Sequence, residues 1–166
     1  MNIYDSFMYY DEDLLLDLRL NSLDQYVKKF VITEATFTHN GSSKKLNFNL
    51  NNFKKFKDKI IYIVVDKQPQ NILELTEGES KKKRSDKLIL NGMARDYFQR
   101  ENLMKGIKKA EDDDVILISD LDEIPNLSYL KNIDINNKIV LFKQKMFYYK
   151  LNLLYDKFSW IGSKAV

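Results

Sequence analysis

The chain has 166 residues, 44% of them apolar and 13% aromatic, with only 5 glycines and 2 prolines; that is the size of one domain with a real core, and it excludes a disordered or linker-rich protein. Its 27 basic and 24 acidic residues leave a formal charge of +3, too small an excess to make nucleic acid or an anionic membrane the main partner. The absence of cysteine excludes disulfides, thiolate metal ligands and thiol nucleophiles together.

From the start of the chain, residues 3–7 read as a first strand. Asp11 or Asp13 is then placed to cap a helix that carries Leu16, Leu20 and Leu23 on one face. No basic region followed by a long apolar run opens the chain, and no stretch approaches the ~20 apolar residues of a membrane span. The expected location is therefore cytoplasmic. Residues 27–35 are rich in β-branched side chains and read as a second strand, residues 37–49 as a polar segment with a turn at Asn40-Gly41, and residues 51–59 as a short helix. Residues 60–66, IIYIVVD, give the cleanest buried-strand signal. Residues 67–87 read as loop, including the basic run Lys81 to Arg84, whose first interpretation is a solvated surface and whose second is a phosphate contact.

A long helix is expected over residues 91–110, followed by a strand over 115–119 and one or two strands over 138–149. Apolar strands alternating with helices predict an α/β domain whose mainly parallel sheet is covered on both faces, without an internal boundary.

In such sheets ligands sit beyond the carboxyl ends of the strands. The buried run VILIS leads there into Asp120-Leu121-Asp122-Glu123-Ile124-Pro125, where alternation turns Asp120 and Asp122 toward one point. Two hard oxygen donors without a neighbouring His or Cys suit Mg²⁺ or Mn²⁺ that keeps water and a substrate diphosphate as its other ligands. A loop that is merely acidic is the competing explanation. The preceding helix carries an apolar stripe of Met93, Tyr97, Met104 and Ile107 with Arg100 in its middle; such a cation either pairs with a buried carboxylate or meets a phosphate. Arg95 and Asn102 are nearby polar groups. Glu34, at the end of the second strand, is either a loop carboxylate or a base or ribose contact. His39, the single histidine, reads as surface, and Trp160 as core or as a platform for a sugar. No dinucleotide or P-loop glycine pattern is present.

These segments carry a resemblance. The opening IYDSFMYYDEDLLLDLRLNSLDQYVKKFVITEAT, the helix RDYFQRENLMKGI, the motif DVILISDLDEIP, and FYYKLN with WIGSK resemble glycosyltransferase family 17, the family of the β-1,4-mannosyl-glycoprotein β-1,4-N-acetylglucosaminyltransferases. The resemblance implies a single GT-A type donor-binding domain over residues 1–166, a UDP-sugar donor such as UDP-N-acetylglucosamine, a glycan acceptor, a divalent metal (Mn²⁺ or Mg²⁺), and inversion at the anomeric carbon. It maps the family's Asp-x-Asp onto Asp120 and Asp122 as metal ligands, with Asp120 also near the ribose and Glu123 as a neighbouring carboxylate and weak candidate base. Phe7, Tyr9 and Glu34 would face the uridine, and Arg95, Arg100 and Asn102 would contact the nucleotide. Family members extend past the segment matching Trp160-Ile161-Gly162, so a fragment or a short form is expected. The rival readings are a metal-dependent nucleotidyltransferase using the same carboxylates and a nucleotide-sugar-binding module with little turnover.

Overall fold

A computed structural model describes residues 1–132, 139–149 and 152–166 of the chain. Its elements in chain order are β1 (Ile3–Met8), α1 (Asp13–Leu23), β2 (Lys29–Ala35), β3 (Ile60–Val65), α2 (Lys81–Glu101), β4 (Val115–Ser119), β5 (Val140–Phe147) and β6 (Leu154–Ala165). The strands form one sheet in the order β3-β2-β1-β4-β6-β5. The first four are parallel neighbours, and β6 runs antiparallel to both β4 and β5. The expected α/β domain with a mainly parallel sheet is therefore found, with an antiparallel edge.

Period-two alternation divides the core between the two faces. Ile3 and Phe7 of β1, Phe30 and Ile32 of β2, and Val115 and Leu117 of β4 pack with Leu16, Leu20 and Leu23 of α1. Tyr4, Val31 and Ile116 point the other way, onto Leu103 and Ile107 beyond α2. The leucine stripe of α1 lies where it was expected, but its cap does not. Glu12 precedes the helix without a side-chain capping bond, and Asp13 is the first helical residue.

Four expectations need correction. The buried strand expected over residues 60–66 is the edge strand β3, with only Val65 fully buried, because the apolar run reports strand propensity and not the number of neighbours. The Lys81 to Arg84 run is no loop. It forms the exposed first turn of α2, capped by Ser80, whose Oγ accepts from Lys83 N at 3.3 Å. The helix ends at Glu101 instead of continuing to 110, and a 3₁₀ turn Asn102–Lys105 leads into Gly106. At Gly106 a Cβ would come within 2.3 Å of Val31 Cγ1, so the chain passes close over β2 only without a side chain. The apolar stripe of α2 is also mostly turned to solvent: Met93, Tyr97 and Met104 are exposed, while Asn91 and Arg95 are buried.

The short helix expected over residues 51–59 is a 3₁₀ segment, Leu50–Phe56, that buries Phe53 and Phe56. The strand expected over 138–149 is β5; Lys138 lies outside the described residues. The twelve-residue β6 was not foreseen. No helix among the described residues is long and apolar enough to cross a membrane.

Candidate functional site

The strand order reverses at β1, since β2 and β3 lie on one side of it and β4 on the other. Side chains following β1 and β4 therefore diverge around a crevice at their carboxyl ends, where open α/β sheets bind ligands. A cleft of about 530 Å³ lies there, lined by Tyr9 and Tyr10 after β1, Asp96 and Arg100 of α2, and Asp120 and Asp122 after β4.

Both carboxylates of the motif are exposed. Arg100 Nη2 donates to Asp120 Oδ1 at 2.7 Å and lies 3.7 Å from Asp96 Oδ2. Burial works against the Arg100 charge, but the Asp120 hydrogen bond and the nearby Asp96 and Glu123 carboxylates outweigh it and hold the guanidinium above its ordinary pKa. No side chain among the described residues holds the Asp122 carboxylate. Tyr9 donates its hydroxyl to Asp13 Oδ1 at 2.6 Å, and burial together with that carboxylate pushes the phenol pKa far up, so it stays a donor.

The loop that presents the motif is gripped from below by Arg19. This side chain has no exposed surface. Its Nε and Nη2 bind Asp5 in a fork at 2.8 and 2.6 Å, and Nη2 also reaches Ser119 Oγ at 2.6 Å. Nη1 points at the carbonyls of Asp120, Leu121 and Glu123 at 2.8, 3.0 and 3.2 Å. A guanidinium supplies such a fixed fan of donors, and an ammonium does not. Sequence reasoning missed this pair, although both halves left a signal: Asp5 sits inside an apolar strand, and Arg19 falls between Leu16, Leu20 and Leu23 on the buried face of α1.

Glu123 closes the loop from the other side. Its Oε2 accepts from Asp120 N at 2.9 Å and its Oε1 from Trp160 Nε1 at 2.6 Å. With each oxygen accepting from a protein donor, the carboxylate acts as a strut between the motif and β6. Trp160 is correspondingly at the surface of β6, not in the core.

The remaining expected contacts lie away from the cleft. Phe7 is a core residue under the Arg19 guanidinium, whose Cζ sits 4.5 Å from the ring centroid. Glu34 is fully buried and accepts from Lys44 Nζ, Asn47 N, Phe48 N and Tyr62 OH. Three of these donors come from the 44–48 segment, so the carboxylate clasps that segment and Tyr62 to the end of β2. Arg95 donates to Gln68 Oε1 at 2.6 Å and to His39 O at 2.9 Å, fastening two loops to α2. Asn102 turns back to Phe98 O at 2.7 Å and caps the helix. His39 is exposed at the rim of the cleft, as expected of a surface residue. Of the expected residues, the structure thus brings Tyr9, Arg100, Asp120 and Asp122 together.

The chain is similar to a beta-1,4-mannosyl-glycoprotein 4-beta-N-acetylglucosaminyltransferase of Homo sapiens, with 30% identity over 115 residues, covering 67% of this chain and 19% of that protein. The enzyme of the same name from Rattus norvegicus is 30% identical over the same span. The chain spans 19% of the length of these curated relatives. No solved structure matches it. The family model for glycosyltransferase family 17 matches residues 1–166, and with the whole chain covered the protein belongs to glycosyltransferase family 17.

Proposed function

We propose that this chain is a glycosyltransferase that binds a UDP-sugar in the β1/β4 crevice, with a divalent cation held at Asp120 and Asp122, and passes the sugar to a hydroxyl of a glycan with inversion. The observation that carries the proposal is the place of the carboxylate pair: it follows β4 at the reversal point of the sheet, on a loop whose carbonyls accept three hydrogen bonds from Arg19. A GT-A type domain has this organisation, and the relatives' printed name makes N-acetylglucosamine the first sugar to test.

The donor set fits Mn²⁺ or Mg²⁺. Among the described residues no group of three or more His, Cys, Asp or Glu side chains forms a ready cage, so the protein would supply carboxylate oxygens and leave positions for water and a diphosphate, as Mg²⁺-type sites do. When bound, the cation neutralises the negative charge that the departing diphosphate acquires. Asp122 is open to such a ligand, and Asp120 keeps its Oδ2 for one while Oδ1 accepts from Arg100. Held there by Asp120, Arg100 lines the cleft as a positive group where phosphate charge would develop. Tyr9 keeps its proton and stays on Asp13, which makes it a wall of the cleft and not a titrating group. The bond broken joins the anomeric carbon to the diphosphate oxygen, which leaves with the electron pair, while the acceptor oxygen bonds the opposite face and passes its proton to a carboxylate base, for which Glu123 is the candidate, or to water.

Calorimetry with UDP tests this. Affinity should rise with Mn²⁺ over that in chelator, and Asp122→Ala should remove most of the gain while the circular dichroism spectrum stays that of the parent. A lost metal-bridged contact is worth several kcal/mol, or on the order of a hundredfold or more in affinity. Equal UDP affinity with Mn²⁺ and with chelator would overturn the metal assignment.

A further inference from the structure

The Asp120 to Glu123 loop has a cleft on each side. Beyond it from the crevice just described lies a second one of about 410 Å³, walled by Leu18 of α1, Glu123, Gln144, Met146 and Phe147 of β5, and Trp160 of β6. Asp120 and Asp122 line both clefts. Two reactants held on opposite sides of one loop can meet over it, which is the arrangement a transfer between two bound molecules requires.

The chemistry of the second wall is amphipathic in a particular way. Trp160 is 38% exposed, yet it is not free. Its indole N–H is bound to Glu123, and Glu123 is bound to the backbone of Asp120. The carboxylate fits there because residue 162 is glycine: a Cβ on Gly162 would fall 2.6 Å from Glu123 Cδ and 2.3 Å from Gln144 Oε1. The ring is thus locked in register with the carboxylate motif. Gln144 is fixed too, its Oε1 accepting from Ser163 N at 3.1 Å, which leaves its amide N–H groups as donors. Phe147 and Phe158, 41% and 52% exposed, extend the aromatic surface along the hairpin. A pre-positioned indole face with a few polar groups beside it is complementary to a pyranose, whose C–H face is apolar and whose rim is hydroxylated.

The geometry points to this second cleft as a saccharide site that takes the acceptor, with a pyranose ring stacked on Trp160, its hydroxyls on Gln144, and the reacting hydroxyl turned toward the Asp120 and Asp122 wall. The inference deepens the glycosyl-transfer reading and rests on it for the word acceptor; the saccharide site itself can be tested apart from it.

Trp160 is the single tryptophan of the chain, so indole emission reports this cleft alone. The full chain is titrated, without nucleotide, with β-mannosyl-chitobiose, chitotriose and maltotriose, and emission is followed. A saturable change with at least one of them is expected. Leu18 is exposed at the rim, so Leu18→Tyr narrows the cleft without touching the core and should weaken that response at least tenfold, with UDP affinity by calorimetry unchanged. Absence of any response to the three saccharides overturns the site, and so does a response that Leu18→Tyr leaves undiminished. A saccharide response in a chain that fails to bind UDP would uphold the cleft and remove the donor reading. UDP binding without a saccharide response would do the reverse.

Discussion

Arg19 joins three chain segments at one point, and its neighbours decide what its loss would do. Removing it leaves Asp5 charged, fully buried and without its fork. Breaking such a pair from one side costs about 3–5 kcal/mol, so Arg19→Met should lose that much stability in urea unfolding. Replacing both, as Asp5→Leu with Arg19→Met, removes the stranded charge and should recover most of the loss. Nucleotide affinity should not return with it, because the carbonyls of Asp120, Leu121 and Glu123 still lack their donor. A double variant that binds UDP with Mn²⁺ as the parent does would make Arg19 a purely structural residue. The contrast with Arg100 shows what the sequence reveals about single charges. Both arginines interrupt an apolar stripe in the sequence, yet the stripe of α1 is buried and that of α2 is exposed. Periodicity identifies a face but not the layer it meets, so the sequence alone does not separate the buried Arg19 from the cleft-lining Arg100. Asp120 and Asp122 were legible because a buried strand and its end are both local features.

Helix α2 is tied to the body of the protein largely by polar bonds. Asn91 exchanges two hydrogen bonds with the backbone of Leu73 at 2.7 and 2.8 Å, Arg95 holds Gln68 and His39, and Gln99 donates to Thr33 O at 3.0 Å. A helix fastened in this way has a weak apolar signature where it packs, so the sequence places its bounds too late and its basic first turn reads as loop. Strand β6 escaped for a related reason: its first eight residues are all exposed, so no alternation marks them. The loop under α2 offers a test of this element. Gly41 has φ +88° and lies so close to Arg95 that a Cβ would fall 2.5 Å from Nη2. Gly78 has φ +81° but an open surrounding. Gly41→Ala and Gly78→Ala share the backbone penalty of about 1 kcal/mol for a left-handed residue, and only the first displaces the guanidinium. Gly41→Ala should therefore lower Tm further than Gly78→Ala by about 2–4 °C for each additional kcal/mol. Equal shifts would mean that Arg95 gives way without loss and that the fastening of α2 is unimportant to stability.

At the scale of the whole molecule, the parallel half of the sheet is closed by contacts between the first residues and the start of β4. Asn2 N and Nδ2 donate to Asp114 Oδ1 at 2.6 and 2.7 Å, Glu111 N reaches Asp114 Oδ2 at 3.1 Å, and Val115 N bonds Asn2 O at 2.8 Å. The clasp spans 112 residues of chain. It was invisible in the sequence, where Asp112-Asp113-Asp114 is one acidic run and only the fold buries the last member. Burial alone would raise the Asp114 pKa, but the N–H donors of Glu111 and Asn2 outweigh it and hold the carboxyl below its ordinary 3.8. The folded state thus binds this proton more weakly than the unfolded one, so the stabilisation is complete above the unfolded pKa and is lost as pH falls through the folded one. Asparagine at 114 would turn an amide nitrogen toward one of those donors and forfeit a charged hydrogen bond, worth about 2 kcal/mol. Urea unfolding of the parent and Asp114→Asn should therefore differ by about that amount at neutral pH, and the gap should narrow steadily below about pH 4. A gap that stays constant down to the acid limit would show that the Asp114 charge contributes nothing to closing the sheet and that the clasp acts through its backbone bonds alone.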